Sequence, residues 1–370
     1  MTANIASPLM PRVLVVGPYP PPVQGAALVT QLLVDVMRQT ATVELVIISP
    51  DGLQRNFSYF LQRVLRVGRA CMRLAAFRYA GQRAFYLACA GGHGTLYDLI
   101  LVAIARLIGV RVHLHHHAFS YISHRPPLSR LLIRVAGAQT LHICLCRRMA
   151  ERLAAQYRSV HRTVVLSNAA LVTPGAAHAS GTVLRLGFMS NLMASKGLDR
   201  TIEVMRRVRQ SRPAVKLIVA GPVVDGSGAA LVVAAQHEFN DSFEYRGPVY
   251  GADKDAFFSG IDVFLFPSRY VNEAQPLVVL EALAYGIPVV ANDLGCIGDD
   301  VSSEGGIVAP SDDEFVALAA AAITRWIDDP AALAQASQRA IARSRHLHRA
   351  ARDDLVKVVQ LISQPEPLPQ

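Results

Sequence analysis

Short apolar runs of Val, Ile, Leu and Phe recur along the chain and alternate with stretches whose apolar positions follow a helical period. Runs that are apolar on both faces and bounded by turn residues suit strands covered on both sides, as in a parallel sheet layered with helices. The pattern predicts strands at Val13–Val16, Val43–Ile48, Phe85–Ala88, Val112–His115, Leu141–Leu145 and Thr163–Leu166. A second series follows at Val183–Phe188, Lys216–Ala220, Phe243–Tyr245, Val263–Phe266, Pro288–Ala291 and Gly306–Val308. Two consecutive series predict an α/β protein of two doubly wound, Rossmann-like domains. The small, polar, turn-rich segment Thr173–Gly181 is the predicted seam. The first domain then takes residues 1–175 and the second 176–344, with residues 345–370 expected to cross back onto the first.

With 370 residues, 52% apolar and 18% charged, the composition is globular and excludes a disordered chain. Five cysteines include no CxxC pair, and Cys144 and Cys146 resemble no common metal spacing. The N-terminal residues show no secretory signal pattern. The longest apolar stretch, Leu99–Val110, is interrupted by Arg106 and is too short to span a bilayer. A cytoplasmic protein, soluble or peripheral, is the expectation.

Charge sharpens the picture. Residues 1–180 hold 19 Arg, no Lys and 5 acidic residues, a net +14 against −5 for the remainder. A strongly cationic half prefers an anionic surface: nucleic acid, a phospholipid leaflet or a phosphorylated substrate. Within it, Arg55–Arg83 mixes Arg55, Arg63, Arg66, Arg69, Arg73, Arg78 and Arg83 with Phe57, Tyr59, Phe60, Leu61, Leu65 and Leu74. The spacing of Arg63, Arg66, Arg69 and Arg73 stacks them along a helix. One reading is a helix docked on anionic lipid of an inner leaflet; the other is a solvated helix whose apolar side packs on the sheet.

The strongest chemical signal is FPSRYVNEAQPLVVLEALAYGIPVV, residues 266–290. Phe266 ends a strand, Pro267–Gln275 form a polar loop containing Glu273, and Pro276 suits the first turn of a helix that carries Glu281 and ends at Gly286. The segment Ala274, Gln275, Pro276 and Leu277 would then sit at a helix N-terminus, where the free backbone N–H donors of its non-proline residues and partial positive charge suit a phosphate. Glu281 is expected two turns into the helix, so the two carboxylates reach different parts of one ligand.

This Glu-x7-Glu arrangement resembles the signature of the family 4 retaining glycosyltransferases, of the two-domain GT-B type. The likeness extends to Gly187, Lys196-Gly197, Gly221-Pro222, Asp262-Val-Phe-Leu-Phe-Pro-Ser268 and Glu281-Ala-Leu-Ala-Tyr-Gly286. The resemblance implies two Rossmann-like domains facing a cleft. It implies that Glu281 holds the ribose hydroxyls of a nucleotide and Glu273 a hydroxyl of a donor sugar. Lys196 would offset charge growing on the departing diphosphate. The family's Arg six residues earlier is Ser190 here, with Arg269 and Arg246 as candidate substitutes. In the first domain the proline-rich turn before Gly25 resembles a phosphate-facing loop, and only Gly25 of the family's glycine pair is present.

The run His113–Arg125 invites a metal reading, with His113, His115 and His117 on one strand face, but it lacks the carboxylate or cysteine partners of usual zinc sites. The resemblance instead implies that His117, with His116 as fallback, contacts donor or acceptor near the anomeric centre. Asn168 and Asp299 also match family positions. The expected partners are a nucleotide-sugar donor, a saccharide or lipid-linked saccharide acceptor, and an anionic inner-leaflet surface through Arg55–Arg83. No metal or other cofactor is expected, and the reaction would serve cell-surface polysaccharide assembly. A nucleotide-sugar epimerase or sugar phosphorylase of the same fold, and a basic nucleic-acid-binding protein, are the alternatives.

Overall fold

The computed structural model describes residues 10–21, 25–50, 57–77, 83–175 and 184–363. Arg55, Arg78, Val183 and positions 176–181 of the predicted seam lie outside the described residues. The chain forms two compact units, one of residues 1–167 with 352–370 and the other of residues 168–351.

The first unit runs β1 (Arg12–Gly17), α1 (Gly25–Met37), β2 (Thr42–Ile47), α2 (Phe57–Ala76), β3 (Arg83–Cys89), α3 (Thr95–Leu107), β4 (Arg111–His116), α4 (Ser120–Ser123), α5 (Pro127–Ala136), β5 (Leu141–Cys144), α6 (Arg147–Gln156) and β6 (Arg162–Val165). Its sheet has the order β2-β1-β3-β4-β5-β6, and every pairing is parallel. Val13, Leu14, Val15 and Val16 are all fully buried, so β1 is covered on both faces. On one of those faces Leu14, Val16, Phe85, Leu87 and Leu114 pack with Val67 and Leu74 of α2 and Leu101 and Val102 of α3. Each such side chain contributes about 1.5–3 kcal/mol of transfer free energy, which is why continuous apolar runs settle at the centre of the sheet.

The second unit runs β7 (Arg185–Met189), α7 (Leu198–Arg209), β8 (Lys216–Ala220), α8 (Gly226–Phe239), β9 (Phe243–Tyr245), α9 (Ala252–Ser259), β10 (Val263–Phe266), α10 (Leu277–Ala284), β11 (Val289–Asn292), α11 (Ile297–Gly305), β12 (Gly306–Ala309) and α12 (Asp312–Asp328); α13 (Pro330–Ser363) begins in this unit, and its residues from 352 onward belong to the first. Its parallel sheet has the order β12-β11-β10-β7-β8-β9. Alternation along β8 divides the core: Leu217 and Val219 face a layer with Met205 and Phe315, while Ile218 and Ala220 face Phe257, Phe258 and Leu283. All twelve predicted strands are present, and their ends shift by no more than two residues.

In each sheet the chain winds first one way and then the other. The reversal falls between β1 and β3 in the first unit and between β7 and β10 in the second. Beyond the carboxyl ends of the strands at such a reversal, open α/β sheets bind their ligands.

Candidate active site

In the second unit the segments leaving β7 and β10 flank the reversal point. After β7 the chain makes a single 3-10 turn, Ala194–Lys196, and enters α7 through Gly197 at φ 88°. A Cβ on Gly197 would lie 2.1 Å from the Pro267 carbonyl oxygen, so glycine lets this turn sit directly on the exit of β10. The contact brings two candidates together. Lys196 Nζ donates to Glu273 Oε2 at 2.6 Å, with 14% and 9% of the two side chains exposed. Ser268 Oγ donates to the same oxygen at 2.7 Å, and the Lys196 ammonium lies 4.4 Å from the centre of the Tyr270 ring. A lysine, a carboxylate, a hydroxyl and an aromatic face thus converge at the carboxyl ends of adjacent strands.

The loop carrying Glu273 is pinned on both sides. The Glu273 amide donates to Tyr270 O at 2.8 Å, and the Cys296 amide donates to Ala274 O at 2.7 Å. That second bond requires Gly295, whose Cβ would otherwise stand 2.5 Å from the Ala274 oxygen. Gln275 is buried: its Oε1 accepts from the Asn168 amide at 2.7 Å, and its Nε2 donates to Asp300 Oδ1 at 2.8 Å. Asn168 Nδ2 in turn donates to Gln275 O at 2.8 Å. The side chain of Gln275 therefore braces the loop. Asn168, which the resemblance also singles out, belongs to this brace.

Pro276, at φ −70° and ψ 126°, is the residue before α10 rather than in its first turn, because its extended ψ precedes the helical geometry that starts at Leu277. The first amides of α10 have no partner one turn earlier within the helix. Glu281 is the fifth helical residue, a little over one turn in and not two. Its Oε1 accepts from Lys254 Nζ of α9 at 2.6 Å, a partner that sequence reasoning missed. The two candidate substitutes for the arginine replaced by Ser190 are both engaged. Arg269 pairs with Asp199 at 2.8 Å and donates to Ala194 O at 2.7 Å, while Arg246 pairs with Glu244 at 2.7 Å. Asp299 lends its carbonyl to Arg343.

Gly25 and His117 lie in the first unit. Gly25 opens α1, half-buried, and His117 directly follows β4. The His117 and His115 rings approach to 4.1 Å between centroids. His117 Nε2 is out of solvent contact and makes no hydrogen bond within the protein. Burial pushes the His117 pKa down to about 4, so it is a neutral imidazole. His115 Nδ1 lies 2.7 Å from Tyr86 Oη. His116 is engaged on both sides, with Tyr121 Oη at 2.7 Å and His142 Nδ1 at 2.9 Å, which disfavours it as the fallback. Among the described residues no group of three or more His, Cys, Asp or Glu side chains is placed to hold a metal ion.

The outer surface of this unit differs from the simple arginine stripe predicted. Helix α2 buries Val67, Ala70 and Leu74 but leaves Phe57, Phe60, Leu61, Val64, Leu65 and Met72 exposed, Phe57 by 82%. Arg63 turns inward over the Tyr97 ring, Arg66 donates to Ser49 O, and Arg69 stays exposed. Beneath them Asp98 is fully buried and accepts from the Ala90 amide at 2.7 Å. Burial pushes its pKa up to about 7, against the opposing pull of that N–H and of Arg63. No helix among the described residues is long and apolar enough to cross a membrane.

Each unit has a parallel sheet with a reversal point, and the second unit carries a lysine–carboxylate pair beside its own; these features can be set against known proteins. Residues 183–339 match the family model described as glycosyl transferases group 1. The second unit is thus similar to that family, and the chain has the two-domain fold of the GT-B glycosyltransferases. It is 33% identical over 149 residues to the glycogen synthase of Mycobacterium tuberculosis, covering 39% of this chain and 34% of that protein. It is 31% identical over 172 residues to the lipopolysaccharide core biosynthesis mannosyltransferase LpsB of Rhizobium meliloti, covering 43% of this chain and 46% of LpsB. The chain thus spans less than half the length of these relatives. Among solved structures, HepE of Anabaena in complex with UDP superposes with a TM-score of 0.68 at 14% identity, covering 95% of this chain and all of that one. At that identity the likeness bears on the fold.

Proposed function

We propose that this chain is a glycosyltransferase. It moves a sugar from a nucleoside diphosphate sugar bound by the second unit to a saccharide acceptor, with retention at the anomeric carbon and without a metal ion. The observation that carries this reading is the pairing of Lys196 with Glu273 beside Ser268, at the reversal point of the second sheet. In the ligand-free chain each charge neutralises the other. A diphosphate arriving at Lys196 replaces the carboxylate as its partner, and Glu273 is released to accept from a sugar hydroxyl. Lys196 then stabilises the negative charge that grows on the leaving phosphate, which is the main electrostatic demand of glycosyl transfer. The amides of Ala274, Gln275 and Leu277, on either side of Pro276, add donors at the start of α10, and Glu281 accepts from the ribose hydroxyls. No side chain is assigned as a covalent nucleophile. Transfer runs on one face of the sugar, and the leaving phosphate takes the proton of the acceptor hydroxyl. Neutral His117 of the first unit is read as a hydrogen-bonding contact for the acceptor.

The acceptor is read as lipid-linked and the reaction as a step in cell-surface polysaccharide assembly at a cytoplasmic membrane face. The exposed apolar and arginine-rich surface of α2 supports this, as does the similarity to LpsB, a lipopolysaccharide core biosynthesis mannosyltransferase. The test is a thermal-shift screen of the purified protein against UDP, GDP, ADP and CDP and their sugars, in magnesium and in chelator. A rise in melting temperature with one diphosphate, equal in both buffers, is expected because a ligand of the folded state stabilises it. No rise with any nucleotide would sink the donor-site reading, and a rise only with magnesium would sink its metal independence.

A further inference from the structure

The sequence is sparing with lysine: only four of its 37 cationic side chains are Lys, at positions 196, 216, 254 and 357. Two of the four meet the two carboxylates of the Glu-x7-Glu pair, each at 2.6 Å: Lys196 on Glu273 and Lys254 on Glu281. The first pair belongs to the donor site as already read. The second involves a residue that neither the spacing nor the resemblance singled out.

Lys254 stands where its own helix does not favour a cation. It is the third residue of α9, between Asp253 and Asp255, in the turn where the helix dipole attracts negative charge and opposes positive. Its charge is instead used across the gap to α10. The distance to Glu281 Oε1 is that of a charge-assisted hydrogen bond, with 32% of the lysine side chain and 15% of the glutamate exposed. The two helices are locked together beside this contact. Tyr285 Oη donates to Asp255 Oδ1 at 2.6 Å, and the Tyr285 ring stacks on Phe258 at 5.3 Å. Lys254 is therefore held at a fixed place relative to Glu281.

An ionised carboxylate offers about four acceptor positions over its two oxygens. Lys254 occupies one of them, and no other described residue donates to Glu281. The remaining positions, including all of Oε2, stay available to a ligand. From this geometry we infer that Lys254 is a positioning residue for ribose recognition: it fixes the Glu281 carboxylate in one rotamer, ready to accept from a vicinal diol. The inference rests on the ribose reading of Glu281. A glutamate held in advance loses less conformational freedom when the nucleotide binds, so the lysine strengthens the diol contact without touching the ligand.

The experiment is calorimetric titration of the full chain with UDP, GDP, ADP and CDP. The one that binds best is then compared with its 2′-deoxy counterpart, for the wild type, Lys254→Met, Lys254→Arg and Glu281→Ala. The readout is the ratio of the two dissociation constants, which a general loss of packing does not change. Lys254→Met is expected to weaken the ribonucleotide by about tenfold and the deoxynucleotide by less, so that the ratio shrinks. Lys254→Arg should keep most of it. An unchanged ratio in Lys254→Met, alongside a ratio lost in Glu281→Ala, would overturn the role of Lys254 and leave the ribose reading standing. A ratio that survives Glu281→Ala would remove the ribose reading and this inference with it. Tighter binding by Lys254→Met would mean that the ammonium stands in the place of the ribose, which also overturns it.

Discussion

Lys196 Nζ sits 2.6 Å from Glu273 Oε2, although 77 residues separate them, because the β7–α7 turn rests on the exit of β10. The pair is nearly buried, and a pair of this kind responds strongly to loss of one partner, since the other is left charged and poorly solvated. Lys196→Met is therefore expected to lower the melting temperature of the ligand-free chain. It should also reduce the rate of sugar transfer by about 100-fold or more, the scale of removing one donor aimed at developing charge. Glu273→Gln keeps the shape and Ser268 contact, and should bind the diphosphate more tightly than wild type while transferring sugar more slowly. Steady-state kinetics and diphosphate titration on the two variants check this. Full activity in Lys196→Met would remove the lysine from the mechanism.

The same turn depends on Gly197. An alanine there would adopt φ 88° at a cost of about 1–2 kcal/mol, and its Cβ would fall 2.1 Å from the Pro267 oxygen. Gly197→Ala should then lose about 3 kcal/mol or more of stability. It should also weaken diphosphate binding, because relief of the clash moves Lys196 away from Glu273. Chemical denaturation together with diphosphate titration tests both parts. A variant as stable as wild type would show that the turn and β10 exit separate freely.

The strands were legible because parallel sheets ask for apolar runs on both faces, and Val13–Val16 or Val263–Phe266 admit few other uses. Glu273, Glu281 and Lys196 stand out in the sequence through their spacing and the resemblance it carries. Their partners do not. The Lys254–Glu281 and Lys196–Glu273 contacts join residues 27 and 77 positions apart, and such separations leave no local pattern. The Gln275–Asp300–Asn168 brace was hidden for the same reason, because a polar residue in a loop reads as solvated until tertiary contacts bury it. Pro276 was read one position too far into the helix. Proline suits both the first turn and the residue before it, and only the extended ψ of 126° decides between them. The arginines of α2 followed helical spacing as expected. Whether each one faced solvent depended on Tyr97 and Ser49, which lie on other elements.

Asp98 offers a test by pH. Its folded pKa of about 7 lies above the ordinary value of 3.8, with burial as the main cause. A carboxyl raised on folding contributes stability that is fully present below its unfolded pKa and is lost as pH rises through its folded one. The window is therefore about pH 4 to 7. The buried His117 and His142, both lowered to about 4, act with the opposite sign, contributing stability above about pH 6.5 that is lost on acidification. Asp98→Asn isolates the first effect, since the amide oxygen can still accept from the Ala90 N–H. Relative to wild type, the variant should gain on the order of 4 kcal/mol of unfolding free energy between pH 4 and pH 7. Urea unfolding at both pH values measures the difference, and parallel curves for the two proteins would refute the assignment.

The surface formed by α2, α3 and α5 argues for a lipid partner and makes its own prediction. Helix α3 packs against both neighbours. Beside the exposed apolar residues of α2, Leu96, Ile100 and Leu107 of α3 and Leu131 of α5 face outward. Arg69, Arg106, Arg130 and Arg134 are exposed among them. From Phe57 to Ala136 the one acidic residue is Asp98, which is fully buried, so no surface carboxylate in this stretch offsets the arginines. Apolar side chains that enter the headgroup boundary and arginines that meet lipid phosphates use both parts of this surface at once. The protein should therefore co-sediment with phosphatidylglycerol vesicles more strongly than with phosphatidylcholine vesicles, and rising salt should weaken the difference. Leu61→Glu with Leu65→Glu removes two exposed leucines and adds two negative charges. It is expected to weaken binding by about 100-fold, given about 1.5–3 kcal/mol for each leucine fully withdrawn from water. Transfer to a short water-soluble acceptor should be unchanged, because neither residue belongs to the donor site. Equal binding to both vesicle types would leave the arginines without this role, and undiminished binding by the double variant would move the lipid contact away from α2.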